Sequence, residues 1–348
     1  MNYTKAYAAA ATRSPLAPFT IQRRLPADDD VAISIKYCGI CHSDVSMSRN
    51  AWGFSMFPMV PGHEITGIVT AVGAKVRKFK AGDRVGVGCF VDSCTSCATR
   101  NVELEHLMPG LVQTYNSLEA DGSSLTYGGY SESIVVKEGY VLAIPDRLPL
   151  DAAAPLLCAG ITMYSPLRRF AAGPGKRVAI VGMGGLGHVG VKIAHAMGAQ
   201  VTVLSQSLSK ADDALRFGAD HCYATGMADT FQTLAGSFDL IICTVSAELD
   251  WNAYLNLLTI DGSLVIIGIP EKAIPVSALP LVVGRRSLSG SLMGSIKETQ
   301  EMLDFCGRHG IVADIETIRI QDVNDAYERL EKNDVRYRFV IDIASLQD

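Results

Sequence analysis

Residues 177–198 read RVAIVGMGGLGHVGVKIAHAMG. A short apolar run, Arg177–Val181, meets Gly182-Met183-Gly184-Gly185-Leu186-Gly187, and a helix-like stretch follows. Strand, glycine turn and helix in this order form the dinucleotide-binding fingerprint. The glycines permit a tight turn and let backbone N–H groups approach a pyrophosphate, and the helix start adds partial positive charge. The same letters without this context would spell only a glycine-rich turn. Working outward, QVTVLS (200–205), KADDALRFG (210–218), FDLIICTV (238–245), WNAYLNLL (251–258) and SLVIIGIP (263–270) alternate strand-like and helix-like stretches. That rhythm predicts βαβ units on a doubly wound parallel sheet over 155–294.

The second strand decides which dinucleotide is favoured. An NAD site places a carboxylate there for the ribose diol. Here the strand ends in Ser205-Gln206-Ser207-Leu208-Ser209-Lys210. Ser205, Ser207 and Lys210 could instead bind a 2′-phosphate, which points to NADP(H). A plain solvated turn would leave the preference open.

Upstream, residues 1–154 are rich in glycine and in short β-type runs: VAISIKY (31–37), ITGIVTAVG (65–73) and DRVGVGCF (83–90). They predict an irregular β domain. The segment after residue 294 opens with a helix, KETQEMLDFCGRHG (297–310), and ends with the strand YRFVIDI (337–343). It is expected to return to the first domain. The division is then 1–154 with 295–348 as catalytic domain and 155–294 as cofactor domain.

Composition narrows the function classes. The 348 residues carry a formal net charge of -5, with 48% apolar and 19% charged residues. No basic field invites nucleic acid. No apolar run suits a membrane span or a signal core. The chain reads as cytoplasmic. Its nine cysteines read as metal ligands and buried thiols rather than a disulfide framework.

The metal signal is spread along the chain. CGICHSD (38–44), PMVPGHE (58–64) and APLLCAGITMYSPL (154–167) together offer thiols and an imidazole. With GMGGLGHVGVKIAHAMGA (182–199), these motifs in this order resemble the cinnamyl alcohol dehydrogenase-like branch of the zinc-containing medium-chain alcohol dehydrogenases, with bacterial broad-range aldehyde reductases nearest. The resemblance spans essentially the whole chain. It implies an α/β protein: a GroES-like irregular β catalytic domain plus a Rossmann cofactor domain. It also implies catalytic zinc on Cys41, His63 and Cys158, with Glu64 able to join the ligands and Asp44 orienting the histidine. Ser43 matches the hydroxyl that bonds the substrate oxygen, and His42 a position near the pyrophosphate. Ser46 stands where many relatives carry a relay histidine. Thr162, Thr244 and the loop Gly268-Ile269 match cofactor contacts. Trp52, Gln113 and Leu292 are candidate pocket walls, although Trp52 could equally be a buried structural residue. Small aldehydes and alcohols are the implied substrates, and pairing near RRSLSGSLMG (285–294) into a homodimer the implied assembly.

One departure stands out. The family's structural zinc uses C-x2-C-x2-C-x7-C. Here Cys94 and Cys97 supply the first two positions, but Arg100 and Met108 occupy the others. Two thiolates cannot close a tetrahedral site; His106 or a nearby Glu could help, but His106 is off the family spacing, so the second zinc is expected to be absent and the lobe to rest on Leu104, Leu107 and Met108. Zinc-free quinone or enoyl reductases of the same fold and a non-catalytic NADPH-binding protein are the rival readings. The intact Cys41, His63, Cys158 set argues against both.

Overall fold

The computed structural model describes residues 2–93, 103–119, 121–227, 229–270 and 272–347. They fall into two compact units, 1–161 with 294–348, and 162–293. Residues 155–161, given to the cofactor domain on texture, cluster with the first unit. Cys94, Cys97 and Arg100 lie outside the described residues.

In unit 162–293, six strands form one parallel sheet. From one edge they run His221–Ala224, Gln200–Ser205, Arg177–Val181, Phe238–Cys243, Leu258–Ile266 and Ser287–Gly290. Numbered along the chain this is the order 3-2-1-4-5-6 of a doubly wound dinucleotide fold. The central strands are apolar nearly throughout because both faces are covered: Val178, Ala179, Ile180, Val201, Val203, Ile241 and Ile242 are all inaccessible to solvent. Beneath one face, Trp251 and Tyr254 pack with Phe238, Leu255 and Leu264. The order of strands reverses between Arg177–Val181 and Phe238–Cys243, and the glycine turn begins at that point.

Unit 1–161 with 294–348 is built on a seven-stranded sheet. Its central strand, Asp30–Gly39, pairs antiparallel with Ile65–Val72, Ser133–Lys137 and Arg338–Asp342. The last of these comes from the C-terminal segment, and Ile315–Arg319 lies parallel outside it. Val31, Ile33 and Ile35 alternate inward and join Ile65, Val85, Phe339 and Ile341 in the core. Each such aliphatic side chain contributes about 1.5–3 kcal/mol when fully buried. The helix Ile296–His309 starts at Ser295, whose hydroxyl accepts the Glu298 N–H at 3.0 Å, and stops at Gly310 with φ +67°. Both ends are thus set by residues suited to them.

Candidate functional site

The register of one strand pair assembles most of the first site. Cys38 lies opposite Ile65, so the chain leaving Asp30–Gly39 and the chain entering Ile65–Val72 emerge side by side. Cys41 follows the first strand and Pro61-Gly62-His63-Glu64 precedes the second. Gly62 takes φ +103°, and a Cβ there would stand 2.7 Å from both Cys38 Sγ and Tyr130 Cδ1. No other residue fits this turn. Cys158 arrives from the junction between the 3₁₀ turn Ala154–Leu157 and the helix Ala159–Arg169.

Cys41, His63, Glu64 and Cys158 offer donor atoms that all lie within 4.8 Å of one another. The two sulfurs are 3.9 Å apart. Cys41 is held well below the ordinary thiol value, chiefly by hydrogen bonding with Cys158, and Cys158 is pushed well above it by hydrogen bonding with Cys41 and Cys89. The two sulfurs thus pull in opposite directions, which favours a single proton between them. Burial opposes a charged His63, but Asp44, Cys89 and Cys41 together outweigh it and the imidazole lies well above its ordinary value. Two sulfurs and an imidazole suit zinc and not a hard cation such as calcium or magnesium. Glu64 Oε2 is buried without a hydrogen-bond partner, so one carboxylate oxygen also remains for an ion.

Asp44 sits behind His63. It is inaccessible to solvent, takes His63 Nδ1 at 3.2 Å and accepts the Cys41 and Gly62 N–H groups at 2.8 and 3.1 Å. A carboxylate on the far nitrogen fixes the ring and leaves the other nitrogen for a metal. Ser43 is half-buried, with its hydroxyl 3.6 Å from Cys41 Sγ. His42 is exposed and Ser46 half-buried.

Three features escaped the sequence reading. Arg338 is fully buried and pairs with Glu64; burial drives Glu64 up to about 7 against the pull of that guanidinium. Its one signal was a cation inside the apolar run YRFVIDI. Cys89 joins the thiol group through Cys158, which lowers it. Tyr115 lays its ring 5.9 Å from that of His63. Trp52 is not a buried structural residue: it is 39% exposed and stacks on Phe54. Gln113 is half-buried on the short strand Val112–Gln113, and Leu292 is 48% exposed.

The lobe also differs from expectation. Leu104 and Leu107 are 43% and 60% exposed and cannot anchor it. The turn Glu105–Leu107 directs Glu105 and His106 inward instead. Glu105 accepts the Ile296 N–H at 2.7 Å, Glu103 pairs with Lys297, and Met108 is half-buried.

In the other unit, the fingerprint forms as read. Gly182 has φ +96°, and a Cβ there would touch Thr244 Oγ1 at 2.6 Å. Thr244 in turn donates to the Val181 carbonyl at 2.9 Å. A Cβ on Gly187 would stand 1.9 Å from the Gly182 carbonyl oxygen, whereas at Gly184 it would meet nothing. The helix Gly187–Ala196 thus approaches the turn closely, with Leu186 just before it, and open space remains beside Gly184 for a phosphate. Lys210 Nζ donates to the Met183 carbonyl at 3.2 Å, and the Ser207 and Ser209 hydroxyls are 3.0 Å apart. The strand-two turn is therefore folded toward the fingerprint. Ser205 and Thr162 are half-buried, and Ile269 is 59% exposed beside the tightly packed Gly268.

A doubly wound sheet and a thiol–imidazole pocket on an irregular β unit define a two-part, metal-using dehydrogenase. Comparison with known proteins agrees: the alcohol dehydrogenase GroES-like domain family matches residues 27–146, and the zinc-binding dehydrogenase family residues 185–308. The chain is 58% identical to "NADP-dependent alcohol dehydrogenase C 1" of Mycolicibacterium smegmatis over the full length of both. It is 59% identical to "NADP-dependent alcohol dehydrogenase C" of Mycobacterium tuberculosis, over 99% of this chain and 100% of that one. Among solved structures, a cinnamyl alcohol dehydrogenase from Sorghum bicolor superposes with a TM-score of 0.96 at 46% identity, covering 99% and 98% of the two chains. A CAD from Helicobacter pylori complexed with NADP(H) gives 0.92 at 41% identity, covering 98% of each. The chain belongs to the zinc-containing medium-chain alcohol dehydrogenases, in their cinnamyl alcohol dehydrogenase-like branch.

Proposed function

We propose that this chain is an NADP(H)-dependent aldehyde reductase and alcohol dehydrogenase of broad substrate range, with one catalytic zinc on Cys41, His63 and Cys158. The observation that carries the reading is the four-donor cluster, with two sulfurs 3.9 Å apart and a carboxylate-backed histidine. When bound, zinc supplies a Lewis acid to the substrate oxygen, and the nicotinamide supplies or takes the hydride.

The chain's own residues do the rest. Asp44 holds the His63 ring. Ser43 offers a hydroxyl beside Cys41 to pass a proton to or from the substrate oxygen. Arg338 balances Glu64, which can then remain in the buried pocket as an anion or withdraw to its partner. With Ser46 in place of a relay histidine, the proton leaves through water, Ser46 or His42. Gly182, Gly184, Gly185, Leu186 and Gly187 would cradle the pyrophosphate, while Ser205, Ser207 and Lys210 would take the 2′-phosphate. Thr162, Thr244, Gly268 and Ile269 would flank the nicotinamide. Trp52, Gln113 and Leu292 would bound an apolar, unspecialised pocket.

NADPH consumption with benzaldehyde and straight-chain aldehydes, with and without a strong chelator, tests the activity. No turnover with any aldehyde would sink it, and chelator-insensitive turnover would favour a zinc-free reductase. For the cofactor, Ser205→Asp sets a carboxylate against the 2′-phosphate and should lower the NADPH-to-NADH ratio of kcat/KM by about tenfold. An unchanged ratio would remove Ser205 from the site.

We also propose a homodimer. Ser287–Gly290 is an edge strand, and the nearby helix Ala278–Gly284 exposes Leu279, Val282 and Val283 at 70% or more. An open edge beside apolar side chains favours a second copy. Val283→Glu should shift sedimentation toward monomer; an unchanged profile would move the interface elsewhere. Free thiols at all seven described cysteines support a reducing, cytoplasmic setting.

A further inference from the structure

Asp44 is fully buried, and its one ion-pair partner among the described residues is His63. A carboxyl group so placed must find hydrogen-bond partners. Three are already described: the Cys41 and Gly62 N–H groups and His63 Nδ1. The Tyr115 hydroxyl also hydrogen-bonds this carboxyl, and the Tyr130 hydroxyl stands 3.5 Å from Asp44 Oδ2. Tyr130 is inaccessible to solvent, and its ring lies where a side chain on Gly62 would have to go. Its own hydroxyl accepts from Tyr327, at 3.4 Å, on the helix Val323–Glu331. A line of two hydroxyls therefore runs from a C-terminal helix to the carboxylate behind His63. Both contacts are long for hydroxyl bonds, so each is weak.

We propose that Tyr130 is a positioning residue for the metal pocket: its hydroxyl, backed by that of Tyr327, steadies Asp44 Oδ2 and so helps to fix the ring of His63 for the ion. This rests on the zinc ligands proposed above. Carboxylates behind metal-bound histidines lose orientation when their own partners are removed, and such outer changes typically weaken metal affinity by 10- to 100-fold.

Tyr130→Phe keeps the ring against Gly62 and deletes only the hydroxyl. Zinc-loaded wild type and variant are mixed with a chromogenic chelator well below the melting temperature, and zinc release is followed. Release about tenfold faster from Tyr130→Phe, with a smaller acceleration from Tyr327→Phe, is expected. Cobalt-substituted protein should show a shifted ligand-field band in Tyr130→Phe, which loosened packing at a distance would not produce. Wild-type release rate and band in zinc-loaded Tyr130→Phe would overturn the inference while leaving the ligands standing. A wild-type chain that takes up no zinc would overturn the ligand reading, and this inference with it. If Tyr130→Phe does not fold, Tyr327→Phe decides by the same two readouts.

Discussion

The donor pocket and the Glu103–Met108 lobe are both places where the chain family uses metal, and they are tied down in different ways. The pocket is completed by residues far apart in sequence, each buried and each held by a specific partner: Asp44 on His63, Arg338 on Glu64, Tyr115 against the His63 ring. The lobe lacks two of the four ligand positions, and its described part hangs on a carboxylate at a helix start and on an exposed ion pair. Where a metal is retained, the surrounding polar groups are buried and specific. Where its ligands are gone, ordinary surface interactions take over, and these are individually weak.

The contrast sets an order of expected effects. Cys158→Ser or Cys41→Ser should remove several kcal/mol of transition-state stabilisation, so aldehyde reduction falls by about a thousandfold and zinc content drops. Near-normal turnover in either variant would break the pocket half of the comparison. Next, Arg338→Ala takes the counter-charge from Glu64, whose carboxyl then rises above about 7 and binds a proton; the lost buried pair and side chain should cost about 3–5 kcal/mol of stability in urea unfolding. A loss well under that would mean water or another cation reaches Glu64. Glu105→Ala removes one charged hydrogen bond at a helix N-terminus and should cost about 1 kcal/mol, with faster proteolysis in the lobe and unchanged zinc content. Lys297→Ala, losing an exposed pair with Glu103, should cost under about 1 kcal/mol. Elemental analysis closes the series: about one zinc per chain is expected, since Arg100 and Met108 replace two of the four cysteines of the lobe. Two tightly held ions would dissolve the distinction between the regions.

The parts legible in the sequence were those written in local spacing. The fingerprint needs a strand, a glycine turn and a helix within one short stretch, so Gly182 to Gly187 could be read directly. Cys41, His63 and Cys158 are far apart but sit in motifs whose order is itself informative. Arg338 was missed because nothing near it in sequence demands a partner; only the pairing of Arg338–Asp342 with Asp30–Gly39 brings it to Glu64. Cys89 looked like any buried thiol, since its neighbour Cys158 is met only in the fold. The lobe was misread because leucine was assumed to face inward. A single 3₁₀ turn, Glu105–Leu107, has too few residues to bury an apolar face, and the helix start of Ile296–His309 offered Glu105 a better contact.

Cys41 and Cys158 stand 117 residues apart in the chain. An ion held by both is consequently a cross-link that closes a long ring, besides being a reagent. In the comparable case of a disulfide, closing a ring of about 100 residues withholds on the order of 4–5 kcal/mol of entropy from the unfolded chain. Stripping zinc should therefore lower the melting temperature as well as the turnover, and the protein's heat resistance should follow the metal supply during growth.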